Sequence, residues 1–346
     1  MLQRTTAPSP TAPPAPAGRV QKYIPGLLLC AGATLIAMTV NAFLPGVSPL
    51  IVAIIAGIAL TNVVQLPAST SPGITLAAKK LLRLGIVFLG LQLVISDILS
   101  LGAPMLVVIV CIVGGGLLGT VAMGRLLKMR SGQALLIACG FSICGAAAVA
   151  GVEGVTESDE EDVVTAVALV VIFGTLMIPL IPFAGQLLGM DPYLNGMWAG
   201  GSIHEIAQVV AAGGIIGGGA LGVAVIVKLA RVLMLAPIVA ILSLRQRRLG
   251  HTSAEGTKPP LVPLFIIGFL AMVILRSTLP LPTAVLDIGG LLQTALLSAA
   301  MFGLGCGVKI RNLVHVGARP FILAACSTVL VAGIAFTGVQ ISSLLA

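Results

Sequence analysis

Two polar stretches interrupt an otherwise hydrocarbon-like sequence: Cys139-Gly-Phe-Ser-Ile-Cys-Gly145 and Gly200-Gly-Ser-Ile-His-Glu-Ile-Ala-Gln208. A bilayer tolerates a carboxylate, an imidazole or a glycine-broken helix only where protein or a water-filled cavity supplies the missing hydrogen bonds, so chemistry is expected here. On a continuous helix His204 and Gln208 are four apart and Glu205 and Gln208 three apart, which puts all three on one flank facing one cavity. An ionised Glu at the bilayer centre costs at least ~2.5–3.5 kcal/mol. Glu205 must therefore be paired, protonated or hydrated, which suits it, with His204, to proton coupling or gating. The structural alternative is that the two residues merely tie neighbouring helices together.

Lys228 and Arg231 lie three apart in the apolar run from Gly222 to Leu244, hence on one face. Two cations facing a cavity suit an anion, and the Arg fork matches a tetrahedral oxyanion or a sulfonate. Neutralising Glu205 is the alternative role. Both hold if a substrate anion and Glu205 compete for the same cations. Gly140 to Gly145 would add free backbone N–H groups and the positive end of a half-helix, with the Ser142 hydroxyl as a further donor. The expected substrate-binding set is thus Lys228, Arg231, Ser142, Gly140, Gly145, Ser202 and Gln208, and the expected coupling pair is Glu205 and His204. One enzyme pattern lies close by: His204-Glu-Ile-Ala-Gln208 is one residue from the zinc-binding H-E-x-x-H signature. Gln208 stands where the second His belongs and is a poor zinc ligand, so no metal, cofactor or catalytic residue is assigned. No phosphate-binding loop is present to drive transport with ATP.

These residues must be positioned by membrane helices. Of 346 residues, 58% are hydrophobic and only 9% charged, and the mean hydropathy is +1.14. Soluble domains carry roughly a quarter of their residues as charges, so the chain reads as an all-α polytopic membrane protein. Residues 1–18 form a Pro-rich tail too poor in large apolar side chains to fold, and 19–346 a single transmembrane transport domain. Spanning-length apolar runs recur at about 23–43, 46–64, 81–98, 103–127, 133–155, 163–188, 195–216, 218–244, 261–279, 286–305 and 320–345, giving ten or eleven membrane elements. Two of them, 133–155 and 195–216, are interrupted by glycine and either cross as broken helices or re-enter. With the tail cytoplasmic and the elements alternating, nearly every Lys and Arg falls on the cytoplasmic side and only Arg276 outside. The net charge of +8 is thus a topology signal rather than a nucleic-acid footprint. The six cysteines sit in apolar surroundings without metal-ligand spacing and read as small buried hydrophobes. Leu81 to Ala103 aligns with Leu296 to Ala318, including Leu89-Gly90 with Leu304-Gly305, and such copies would run in opposite directions, as inverted transporter repeats do. A fainter echo sets Ser142-Ile143 on Ser202-Ile203.

Four segments, Leu82 to Leu91, Cys139 to Ala148, Gly201 to Gly213 and Lys228 to Pro237, resemble the signature blocks of the YeiH-like family of bacterial multi-pass membrane proteins, described as sulfate exporters. The resemblance runs in order and spacing over essentially everything after Lys22. It implies a bacterial plasma (inner) membrane protein with a fold related to the cation/proton antiporter and bile-acid transporter group. The chain departs from the family pattern at Phe141, where Thr is usual, and Ala146, where Ser is usual. Each loses a hydroxyl, which points to a different or larger anion such as an organosulfonate. The expected function is a secondary active transporter exporting sulfate or a related sulfur-containing anion, coupled to H+ or Na+, with the N-terminus cytoplasmic. A passive anion channel and an intramembrane metal-dependent protease are the alternatives. The expected partners are the anion, the coupling ion and the lipid bilayer, with no nucleic acid; a homodimer stays open.

Overall fold

The computed structural model describes residues 21–44, 47–153, 158–248, 263–308 and 317–345. The 1–18 tail lies outside them. In chain order, α1 (Ile24–Phe43) and α2 (Pro49–Val63) precede α3 (Ser71–Leu76), a π-helical turn (Ala77–Leu81) and α4 (Leu82–Leu89). Then come short α5 (Ile95–Leu99), α6 (Gly102–Leu126), α7 (Ser131–Cys139), a second π-helical turn (Gly140–Cys144) and α8 (Ala146–Glu153). The chain continues through α9 (Glu160–Leu187), α10 (Pro192–Ser202), α11 (Ile206–Ile216), α12 (Ala220–Leu233), α13 (Leu235–Arg248), α14 (Leu264–Thr278), α15 (Thr283–Gly307) and α16 (Ala318–Leu345). Among the described residues every regular element is a helix.

Among the described residues, six stretches are long and apolar enough to cross a membrane: α1, α6, α9, the α12–α13 run, α15 and α16. Four shorter apolar helices, α2, α7 with its π turn, α11 and α14, accompany them. The polarity of the molecule is inside out. Leu118, Leu126, Phe183, Leu187, Val329 and Leu344 are exposed, whereas Lys228 and Arg231 are completely buried, as expected when hydrocarbon is the solvent. The apolar run expected over 218–244 bends at Met234 between α12 and α13. Pro237 accounts for the break, because its ring clashes with the carbonyl of Leu233 and it lacks an N–H. Of the six cysteines, Cys111 and Cys326 face outward and the other four are buried.

Both glycine-interrupted elements are re-entrant hairpins, a choice that charge counting leaves open. α7 runs back along α6, with Gly124 against Ala134 and Gly116 against Ser142, so its tip reaches only the middle of α6. From there α8 returns toward its starting face. Gly140 packs on Val149 of α8 and on Val170 near the centre of α9. Arg130, ahead of α7, pairs with Asp159 and, at 2.6 Å, with Asp162, both at the start of α9. That clasp holds both ends of the first hairpin at one membrane face. In the second hairpin α10 goes in and α11 comes out, and a side chain at Gly218, just beyond α11, would strike Pro192 at the start of α10. Gly217, Gly218 and Gly219 turn the chain with φ of +71°, +55° and +84°, a region that side-chain-bearing residues avoid. α9 connects the two bases, its start held by Arg130 and Gly185 near its end meeting Asn195 of α10. The hairpins therefore enter from opposite faces.

The remaining helices form a scaffold in which α15 packs between α2 and α4. Gly57 meets the backbone at Phe302 and Cys306, Gly305 meets Ile54, and Gly85 meets Leu297. Without water to drive association, such close backbone approach through small residues supplies the packing energy. Gly85 opposes Leu297 and Ala78 opposes Gly303, so the two copies of the internal repeat run antiparallel where they are described. The portion of the second copy at 309–316 lies outside the described residues.

Gly57→Ala forces a methyl into the backbone of α15 and is expected to cost about 1–3 kcal/mol. Gly32→Ala, with nothing within 4 Å of the new methyl, is expected to leave the thermal midpoint unchanged or raise it. Thermal unfolding of the two variants in detergent checks the contrast.

Candidate functional site

Breaking two helices at mid-depth leaves two carbonyl ends and two N–H ends inside the membrane, and each orphan group needs a partner. The partners are three side chains. At the carbonyl ends, Lys228 Nζ donates to Ile143 O at 3.0 Å, Ile203 O at 2.9 Å and His204 O at 2.6 Å. Arg231 Nε and Nη2 donate to Ser142 O at 3.2 and 2.9 Å, and Nη2 also to Phe141 O at 3.0 Å. Arg231 Nη1 donates to Gly200 O, Gly201 O and Ile203 O at 3.1, 2.7 and 3.1 Å. Three ammonium donors and five guanidinium donors are the full complement of these side chains, so every one is engaged. Cations at helix C-termini also complement the negative ends of the half-helix dipoles.

At the N–H ends stands Glu205. It is the N-cap residue of α11, where its carboxylate accepts from the Gln208 backbone N–H while Gln208 Oε1 accepts the Glu205 N–H at 3.1 Å. Its Oε1 also accepts the Ala146 N–H at 2.9 Å, the first of α8. One carboxylate thus caps both returning half-helices. Gly145 makes this possible: its φ is +75°, and a Cβ there would collide with the Glu205 side chain. Setting Ser142 on Ser202 and Ile143 on Ile203 places Gly145 on Glu205 and Ala146 on Ile206, the first residues of α8 and α11. The faint sequence echo therefore marks the two hairpin tips, with an absent side chain in one and the carboxylate that fills it in the other.

The chain leaves the helix at Ile203 and resumes at Ile206, so His204 and Gln208 do not lie on one continuous helix; Glu205 and Gln208 meet through the capping box instead. His204 Nδ1 is 3.3 Å from Phe141 O and Nε2 3.2 Å from Thr328 Oγ1 of α16. Its ring lies against Phe141, centroids 4.4 Å apart. Thr328 donates its own proton to Ala324 O at 2.9 Å, so both neighbours of the imidazole present acceptor oxygens. Ser202 Oγ donates to Trp198 O at 2.6 Å. Ser142 Oγ is buried without a hydrogen-bond partner, pressed against Gly116 of α6. All the expected site residues therefore gather at the tips. Thr328 and the accepting carbonyls were not legible, because they reach the site by tertiary packing alone. No group of three or more His, Cys, Asp or Glu able to hold a metal ion occurs among the described residues.

Residues 25–324 match a family model described as Conserved hypothetical protein 698. The chain is 76% identical over 327 residues to a UPF0324 membrane protein of Corynebacterium glutamicum, covering 94% of this chain and 95% of that protein. It is 38% identical over 329 residues to a UPF0324 membrane protein of Pseudomonas aeruginosa, covering 90% and 92%. It is 36% identical over 311 residues to the UPF0324 inner membrane protein YeiH of Salmonella typhi, covering 87% and 89%.

Glu205→Ala orphans buried N–H groups at two helix ends, each costing about 1–3 kcal/mol, whereas Glu205→Gln keeps an acceptor oxygen. The expected order of thermal midpoints is wild type, then Gln, then Ala well below. Equal midpoints for Gln and Ala would show that the carboxylate caps nothing in solution.

Proposed function

Because the chain belongs to the UPF0324 family of membrane proteins, we propose that it is a secondary active transporter for a small anion, worked by the hairpin tips. The carrying observation is that two hairpins entering from opposite faces meet at one buried polar cluster, an arrangement suited to opening the same site to either side in turn. The cluster holds two formal cations, Lys228 and Arg231, against one formal anion, Glu205. That surplus favours an anionic ligand in a low-dielectric interior. Ser142 Oγ, buried and unpartnered, offers the ligand a hydroxyl. In the alternate state the anion takes over donors that Lys228 and Arg231 now spend on carbonyls, and Glu205 and His204 exchange the coupling H+; Na+ is the other candidate. Sulfate or a related sulfur-containing anion fits the Arg fork, and the Phe141 ring at the tip favours an organosulfonate over bare sulfate.

The proposed direction is export across a bacterial plasma membrane with the N-terminus cytoplasmic, in keeping with the inner-membrane name of the Salmonella relative and with the basic residues expected at one face. A second reading has an observation in its favour: with every donor spent on carbonyls, Lys228 and Arg231 suffice as structural caps.

Flux of sulfate, sulfite and taurine into proteoliposomes, at two pH values, separates the two. The transporter reading expects accumulation driven by an ion gradient and abolished by Lys228→Gln or Arg231→Gln in protein that still folds. A bound anion at a hundred times its dissociation constant should add ~2.7 kcal/mol of thermal stability, lost in the same variants. Undiminished flux in either folded variant sinks the assignment, and leak without accumulation leaves a passive channel.

A further inference from the structure

One of the polar groups at the tips is an anion held by no cation. Glu205 Oε1 accepts the Ala146 N–H at 2.9 Å and the carboxylate also accepts the Gln208 N–H, while among the described residues it forms no salt bridge. Backbone N–H groups at two helix starts thus bind a carboxylate inside the protein, as such ends bind free oxyanions elsewhere. The seat has more donors than its occupant uses. Ala147 in α8 and Ile206 and Ala207 in α11 also offer first-turn N–H groups, which have no acceptor within their own helices. α8 and α11 are eight and eleven residues long, and each directs the positive end of its dipole here.

The molecular surface touches the tips at these N–H ends. Lys228, Arg231, Ser142, Ser202 and His204 are completely buried, as are the carbonyl-end residues Phe141, Ile143 and Ile203. Glu205 keeps 7% exposure and Cys144 6%, and Ala147 and Ile206 are half-buried. A ligand arriving from outside therefore meets the N–H ends first. The two cations cannot receive it directly, because their donors are all spent on carbonyls. They supply instead the positive field in which any anion at this seat sits. Gly145 leaves the seat its room: its φ is +75°, and a Cβ there would come within 2.7 Å of Glu205 Oε1.

We infer that Glu205 is the built-in occupant of an anion seat: a small oxyanion, with a carboxylate, sulfonate or sulfate head, binds the N–H ends of α8 and α11 in its place. Any part in flux rests on the transporter reading above, where this is the seat the anion takes before a donor of Lys228 or Arg231 is released; the binding itself does not rest on it. Exchange of Glu205 for the anion swaps one set of acceptor oxygens for another, so no N–H is orphaned at either helix. The displaced carboxylate swings to the surface it already touches. Glu205 and the anion exclude one another, which keeps the seat filled when no ligand is present.

The test is thermal unfolding of the full chain in detergent, titrated with acetate, methanesulfonate and sulfate against chloride at matched ionic strength. Sulfate stabilises proteins generally by exclusion from their surface, so the signal is the excess over wild type. Glu205→Ala empties the seat: its lowered midpoint should be partly restored by the oxyanions, with an apparent affinity about ten-fold above wild type. Glu205→Gln, a neutral occupant, should fall between the two. Asp287→Asn removes an exposed carboxylate elsewhere and should behave as wild type. Adding Gly145→Ala to Glu205→Ala puts a methyl into the seat and should remove the response. A response no greater than wild type in the Glu205 variants, an equal rise in Asp287→Asn, or a response that survives Gly145→Ala overturns the inference. Should Glu205→Ala or the double variant fail to fold, Glu205→Gln decides alone, and an affinity no higher than wild type overturns it. Flux measured on wild type separates the two readings: oxyanion rescue without flux keeps the seat and removes the transporter, whereas flux without rescue removes the seat and spares the transporter.

Discussion

The structure depends on one constraint: backbone groups exposed by breaking a helix in hydrocarbon must find partners inside the protein. Two hairpin tips create that demand at the same place, and Lys228, Arg231 and Glu205 meet it from single positions. The hydrogen bonds are charge-assisted, roughly twice as strong as neutral ones, and they run in the direction the half-helix dipoles favour. Cations cap carbonyl ends and a carboxylate caps N–H ends. Burial of these groups is offset by hydrogen bonds: every donor of Lys228 and Arg231 is engaged, and Glu205 accepts two backbone N–H groups.

The division of labour between the tips is unequal. The first contributes glycine at position 145 and the second a carboxylate at 205, and the left-handed Gly145 backbone leaves the space that Glu205 fills. The one Glu205 side chain therefore touches the starts of both returning helices, α8 and α11. Lys228 and Arg231 likewise hold carbonyls from both hairpins. The tips are thereby joined through shared side chains into one hydrogen-bonded unit.

Two kinds of packing surround this unit. The second hairpin is fastened to α16 by Trp198 Nε1, which donates to Ala332 O at 2.9 Å, and α16 is tied to α6 by Thr120 Oγ1 and Ser327 Oγ, 2.7 Å apart. The scaffold is fastened to itself by glycine-mediated backbone contact among α2, α4 and α15. Between the two bodies lie a cavity and the Lys79–Glu153 ion pair, contacts cheaper to break than the packing on either side. Relative motion of the bodies is the low-cost deformation of such a molecule.

Composition alone established a polytopic all-α membrane protein, because hydrocarbon-rich runs of spanning length admit no other way to satisfy the backbone. Spacing alone singled out Ser142, His204, Glu205, Gln208, Lys228 and Arg231, because polar groups in such runs are too costly to be accidental. What the residues do to one another was decided only by the tertiary structure. Whether the broken elements cross or re-enter depends on contacts such as Arg130 with Asp162 and Gly218 with Pro192, between residues whose spacing carries no periodic signal. That His204 and Gln208 part company follows from the break at Ile203 to Glu205, which local helix propensity does not reveal. The pairing of Glu205 with Ala146 and of Lys228 with Ile143 joins positions far apart in the chain. A sequence marks which groups must be satisfied; only the fold chooses their partners, because any of several carbonyls or N–H groups would have met the same chemical need.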